Sequence, residues 1–350
     1  MSSPPLNRAD AAVRIAVTEL EFRKAEAIFR HAAEAEGLEC FCAPAEEKLL
    51  VAAVKAAGAR HVIVGVEAYT GPLYEALADG SVIARFGVGH DGINKTLASA
   101  RGLLCTNTPG TLDDSVAEFT INLLLAASRH TVGVAADMGA GRWRQRLGGE
   151  LKGKTLAVIG CGPIGQRVAG IAARGFGMNV VGVKRSAEGA ERLQREWGFA
   201  SVTTDFGAAV RTADFVSLHM PSVPETRHFL NGARLALLPA GCWVVNTARG
   251  AVVDEVALFD ALAAGRLAGA ALDVFAREPY EPAEAGKDLR TLPNVIMTPH
   301  VGSNTREAAD RVARRALQNI RFAQVGRLEA MDLLNRDVLA QLKDRERKQS

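Results

Sequence analysis

Short β-branched, apolar blocks along the chain alternate with longer stretches whose apolar residues recur every three or four positions, the signature of strands alternating with amphipathic helices. The series opens with a strand at Val13 to Thr18. A helix to Glu36, an apolar run Leu38 to Cys42 and a helix to Ala57 come next, then strands at His61 to Val64, Val82 to Phe86 and Leu103 to Cys105 with helices between. Asn107-Thr108-Pro109-Gly110 breaks the pattern, and Asp114 or Ser115 is positioned to cap a long helix through Ile121 to Ala126. After a glycine-rich loop around Trp143 a second series begins at Thr155. It continues through Asn179 to Val183, Ser201 to Thr203, Phe215 to Leu218, Cys242 to Asn246 and Leu267 to Leu272, and ends in a helix over Thr305 to Val325. Repeated βα units predict parallel sheets covered by helices on both faces. The expected class is therefore α/β, with two Rossmann-like or flavodoxin-like units.

Composition narrows the picture. A chain of 350 residues is long enough for about two domains, and 48% hydrophobic with 23% charged residues is ordinary for a globular protein. No apolar run approaches the roughly 18 residues of a membrane span, and the +3 net charge comes from scattered basic residues, so neither a membrane nor a nucleic-acid surface is expected. The five cysteines lack the spacing of a zinc site, so no metal is expected and buried free thiols in a reducing compartment fit. Arg8, Asp10 and Arg14 interrupt any secretory h-region, which makes the cytoplasm the expected location. Residues 1 to 10 read as a leader, and the tail from Lys343 is charged.

Thr155 to Ala169 carries the first chemistry: a buried-type strand, the GxGxxG pattern at Gly160, Gly162 and Gly165, and a helix. Gly160 permits the tight turn, Gly162 lets a pyrophosphate approach the backbone, and Gly165 allows helix and strand to pack closely. Pro163 fits the first helical turn, where its missing N–H costs nothing and the free donors face an anion. Parallel strands present ligand-binding residues at their carboxyl ends. Arg249 follows the strand ending at Asn246, Glu278 follows Asp273-Val274-Phe275, and His300 follows Val295 to Pro299, so an anion clamp, an acid and an imidazole exit one edge. Each alone reads equally as a surface charge, a turn residue or a loop histidine. Gly87 and Gly89 in Phe86-Gly87-Val88-Gly89-His90-Asp91 read either as a tight βα turn or as an anion-binding turn.

The order of these motifs, with His219-Met220-Pro221, Glu225-Thr226, Asn246-Thr247-Ala248-Arg249-Gly250 and Thr298-Pro299-His300-Val301-Gly302, resembles the D-isomer-specific 2-hydroxyacid dehydrogenase family over nearly the whole chain. The resemblance implies a discontinuous flavodoxin-like substrate domain (1–113 with 301–335), a Rossmann domain (114–300), a charged tail (336–350) and a cleft between the domains. It implies hydride transfer between NAD(P)H and a small 2-oxo acid, glyoxylate or hydroxypyruvate being favoured, in a homodimer. It makes His300 the acid and base, Glu278 its orienting partner, and Arg249 the clamp on the substrate, whose carboxylate meets the backbone N–H groups of Val88 and Gly89. Dinucleotide contacts fall on Gly160, Gly162, Pro163, Ile164, Gly165, His219, Pro221, Thr226, Thr247, Ala248, Asp273 and Gly302, with Asp273 at the nicotinamide amide. Tyr69, His90 and Leu112 are candidates for the substrate pocket.

One departure bears on the cofactor. Where NAD-binding members carry an acid at the end of the second strand, Val183 is followed by Lys184, Arg185 and Ser186, which suit the 2′-phosphate of NADP, with NAD still possible. A 3-phosphoglycerate dehydrogenase is the second enzyme reading. A dinucleotide-sensing corepressor of the same fold is the alternative from another class.

Overall fold

The computed structural model describes residues 12–342. By internal contacts the chain divides into two compact units, one formed by residues up to Leu112 together with those from Thr305, the other by Asp113–Asn304.

In the first unit five strands, β1 (Val13–Thr18), β2 (Leu38–Ala43), β3 (His61–Val64), β4 (Val82–Arg85) and β5 (Leu104–Thr106), form a sheet in the order β2-β1-β3-β4-β5. Every pairing is parallel. Its inner strands are buried on both faces, which is why Ile15, Val62, Ile63, Ile83 and Ala84 form unbroken apolar runs. The helix Arg306–Gln324 packs Val312, Ala313, Ala316 and Ile320 onto one face with Phe22 and Phe29. Val338, inside the segment expected to be a charged tail, is fully buried in the same core. The expected leader, residues 1 to 10, and the charged stretch from Lys343 lie outside the described residues.

The second unit holds seven strands, β6 (Thr155–Ile159), β7 (Asn179–Val183), β8 (Ser201–Thr203), β9 (Phe215–Leu218), β10 (Trp243–Asn246), β11 (Gly269–Leu272) and β12 (Val295–Met297), in the order β12-β11-β10-β9-β6-β7-β8. These pairings are parallel too. The order reverses beside β6, where an open α/β sheet leaves a crevice at the strands' carboxyl ends.

Three expectations change. The first helix breaks at Ala25 (φ −138°) into Glu19–Lys24 and Glu26–Glu36. The long helix starts at Asp113 and runs to Arg129, so Asp114 and Ser115 lie inside it; Arg167 pairs with Asp113 at 3.3 Å and with Asp114 at 2.5 Å across its first turn. Cys42 is exposed on the edge strand β2 and Cys40 is half-buried, whereas Cys105 and Cys242 are buried free thiols. Among the described residues, no helix is long and apolar enough to cross a membrane.

Candidate active site

The turn after β6 has the shape its glycines require. Gly160 has φ +103°, and a Cβ there would lie 2.6 Å from the carbonyl oxygen of His219. A Cβ on Gly165 would meet the Gly160 carbonyl at 2.1 Å, whereas one on Gly162 would meet nothing within 4 Å. The first and third glycines are therefore demanded by protein packing. The second faces open space at the start of the helix Pro163–Phe176, with Pro163 in its first turn and Ile164 after it. A cradle with an unfilled Cβ position at a helix N-terminus fits a dinucleotide pyrophosphate. The His219 N–H donates to the Ile159 carbonyl at 2.8 Å and its ring Nε2 lies 2.8 Å from Ser217 Oγ; desolvation lowers its pKa to about 3. Thr226 Oγ1 donates to the Pro221 carbonyl (2.7 Å) and accepts from the Val223 N–H (2.9 Å), closing the neighbouring turn.

Beyond β7, the Lys184 ammonium donates to the Glu188 carbonyl along the same loop. Arg185 and Ser186 are exposed, and no hydrogen bond or ion pair holds the Arg185 side chain among the described residues.

Arg249 stands beyond β10 on a turn built by Asn246. This asparagine, 1% exposed, donates through Nδ2 to the Arg249 carbonyl (2.9 Å) and accepts the Ala248 N–H on Oδ1 (3.0 Å). Thr247 Oγ1 is 2.8 Å from Thr120 Oγ1 in the long helix. A Cβ on Gly250 would lie 1.8 Å from the Phe275 carbonyl carbon, so only glycine lets this turn meet the loop that carries Glu278. Glu278 Oε1 accepts the Phe275 N–H at 3.0 Å, and Oε2 lies 2.7 Å from His300 Nδ1. Desolvation favours the neutral Glu278 carboxyl, but the His300 hydrogen bond and charge, the Phe275 N–H and the Arg249 charge outweigh it and hold its pKa below the ordinary value.

His300 has φ +53°, a left-handed conformation that the surrounding bonds enforce. Its N–H donates to the Asp273 carbonyl at 2.8 Å. Asp273, 1% exposed, accepts from Thr298 Oγ1 (2.6 Å) and the Val301 N–H (2.9 Å) on one oxygen and from the Gly302 N–H (2.8 Å) on the other. The residue expected at the nicotinamide amide thus also folds the loop that presents His300. Buried Glu255, which the sequence reading passed over, accepts the Ala276 N–H at 2.7 Å and so braces the Glu278 loop from behind. A helix-capping Asp254 followed by Glu255 was the one local hint.

In the first unit Val88 and Gly89 lie at the carboxyl end of β4, half-buried, beside His90, whose Nδ1 is 3.2 Å from Lys95 Nζ. Tyr69 is 3% and Leu112 8% exposed, so both belong to the packed interior more than to an open pocket wall.

Two parallel α/β units, one with a glycine cradle at its switch point and an Arg, Glu, His set along one sheet edge, define a nucleotide-dependent oxidoreductase. Residues 121–302 match the family model of the D-isomer specific 2-hydroxyacid dehydrogenase NAD binding domain. The chain is 39% identical over 269 residues to a glyoxylate reductase of Thermococcus litoralis, covering 74% of this chain and 78% of that one. It is 42% identical over 231 residues to a D-3-phosphoglycerate dehydrogenase of Methanocaldococcus jannaschii, covering 65% of this chain and 42% of that one. A crystal structure of an NADPH-dependent glyoxylate/hydroxypyruvate reductase from Sinorhizobium meliloti, in complex with NADP and malonate, superposes with a TM-score of 0.74 at 28% identity over 89% of this chain and 93% of that one. The chain belongs to the D-isomer specific 2-hydroxyacid dehydrogenase family. It is accordingly an NAD(P)-binding oxidoreductase of 2-hydroxy acids.

Proposed function

We propose that the protein reduces a small 2-oxo acid, glyoxylate or hydroxypyruvate, to the D-2-hydroxy acid with NADPH preferred over NADH. The observation that carries this reading is the 2.7 Å bond between Glu278 and His300, on a loop packed against the one that bears Arg249. A dihydronicotinamide, when bound, would supply the hydride. His300 supplies the proton: with Nδ1 held by Glu278, Nε2 is the atom that delivers it to the oxygen of the former carbonyl. Arg249 pairs with the substrate and stabilises the negative charge that grows on that oxygen. The N–H groups of Val88 and Gly89 take the carboxylate.

Gly160, Gly162, Pro163, Ile164 and Gly165 would hold the pyrophosphate. His219, Pro221, Thr226, Thr247, Ala248, Asp273 and Gly302 would line the rest of the dinucleotide. Lys184, Arg185 and Ser186 would receive the 2′-phosphate, a role supported by the absence of any other partner for the Arg185 side chain among the described residues. A homodimer is the proposed assembly, supported by apolar side chains left in water on one segment: Met138 is 55%, Trp143 80% and Leu147 97% exposed. Cysteines without a disulfide fit a cytoplasmic location.

NADPH and NADH oxidation measured with glyoxylate, hydroxypyruvate, pyruvate, phenylpyruvate and 3-phosphohydroxypyruvate tests the reading. Glyoxylate or hydroxypyruvate with NADPH should give the highest kcat/KM. Preference for 3-phosphohydroxypyruvate would make the protein a phosphoglycerate dehydrogenase, and no turnover at all would favour a dinucleotide-sensing role.

A further inference from the structure

The turn between Phe86 and Asp91 is fastened by the strand exit beside it. The Gly87 carbonyl accepts the Thr108 N–H at 3.1 Å, and the next carbonyl, that of Val88, accepts from Asn107 Nδ2 at 2.7 Å. In a planar trans peptide the carbonyl and the following N–H point in opposite directions. Fixing the Gly87 and Val88 carbonyls toward Asn107-Thr108 therefore directs the N–H groups of Val88 and Gly89 away from it. Neither N–H meets an acceptor among the described residues. Successive free N–H groups on a turn make an anion-binding concavity.

Asn107 is itself fixed from the far end of the chain. Its carbonyl accepts from Asn319 Nδ2 (3.2 Å), and its N–H donates to the Asp332 carbonyl (3.4 Å). Asn319 is fully buried; it donates to Asp332 Oδ2 (3.1 Å) and accepts the Asp332 N–H (2.9 Å). Arg315 closes the network with two bonds to the Asp332 carboxylate, at 2.5 and 2.7 Å.

We propose that Asn107 is a positioning residue for substrate: its side-chain amide, carried on a backbone held by Asn319 and Asp332, fixes the Val88 carbonyl and so aims the Val88 and Gly89 N–H groups at the substrate carboxylate. The inference rests on the reading that a 2-oxo acid binds at this turn. Asn107→Ala removes the donor. Asn107→Asp does more, because a carboxylate facing the Val88 carbonyl repels it and turns the Gly89 N–H with it.

The test is steady-state reduction of glyoxylate by NADPH in both variants, with oxalate as a competing anion and NADPH binding followed by fluorescence. The KM for glyoxylate and the inhibition constant of oxalate should rise together by about tenfold or more, more for Asn107→Asp than for Asn107→Ala, with NADPH binding unchanged. Folded variants with parental KM, or variants in which NADPH binding weakens equally, would overturn the proposal. If neither variant folds, amide exchange in the parent decides: oxalate should protect Val88 and Gly89, and no protection there defeats the inference. A parent protein that reduces no 2-oxo acid defeats the functional reading. One that reduces glyoxylate while both variants keep its KM defeats this inference alone.

Discussion

Replacing Glu278 by glutamine keeps the size of the side chain and the acceptor for the Phe275 N–H, but removes the charge that faces His300 Nδ1. A protonated imidazole donates from both nitrogens, so the carboxylate favours that form and a neutral amide does not. A charge-assisted hydrogen bond is worth about 1.5–3 kcal/mol. Both side chains are 30% exposed, and solvent screening places the value at the lower end. Roughly 1.5 kcal/mol is about a tenfold change in rate, at about 1.4 kcal/mol per factor of ten. Reduction needs a proton donor that the Glu278 carboxylate holds in place, so kcat/KM for glyoxylate should fall by about tenfold in Glu278→Gln, with NADPH binding unchanged. The assay is kcat/KM for glyoxylate beside NADPH binding in the parent and the variant. A parental kcat/KM would refute the idea that the charge of Glu278 holds His300 for proton transfer.

Three further outcomes are expected. Arg185→Ala should weaken NADPH by roughly ten- to a hundredfold, the size of one charge-assisted bond, and leave NADH nearly unchanged; equal loss for both cofactors in KM measurements would remove Arg185 from the phosphate site. Arg249→Lys should lower kcat/KM for glyoxylate by about a hundredfold, because an ammonium cannot reproduce the planar two-point grip of a guanidinium, and a parental value would exclude that role. His61, 3% exposed with Nδ1 accepting the Val82 N–H, has its pKa pushed down to about 4 by burial and by the charge of Arg60. Its folded pKa lies below the unfolded value of about 6.5, so the stability linked to the neutral ring is intact above that pH and drains away as pH falls toward 4, about 3 kcal/mol in all. In His61→Asn, which retains an acceptor but does not titrate, urea unfolding should lose less stability between pH 7.5 and 4.5 than in the parent; equal losses would contradict the assignment.

The strands were legible because both sheets are parallel and buried on two faces, which writes each inner strand as a short, largely apolar run. His61–Val64 and Asn179–Val183 match their expected bounds for that reason. Helix starts were less legible where a distant partner decides. Arg167, far along the chain, pairs with Asp113 and Asp114, and local capping preference does not register it. The candidate reacting groups stood out because each follows the carboxyl end of a strand. What surrounds them did not: Asn246 reads as a strand end and Asn107 as part of a break in the pattern, Glu255 is passed over, and only the fold brings the three to the loops they hold. Lys184 reads as a phosphate ligand from its position after β7, and only the fold shows that its ammonium also donates to the Glu188 carbonyl.

In the proposed reaction His300, held by Glu278, moves the proton in a nicotinamide-dependent reduction. His300→Ala, assayed for glyoxylate-dependent NADPH oxidation beside NADPH binding, tests it most directly. Positioned general acids and bases contribute roughly 10²- to 10⁴-fold, so kcat should fall by at least about a hundredfold while cofactor affinity stays at the parental value. Turnover near that of the parent protein would contradict the account.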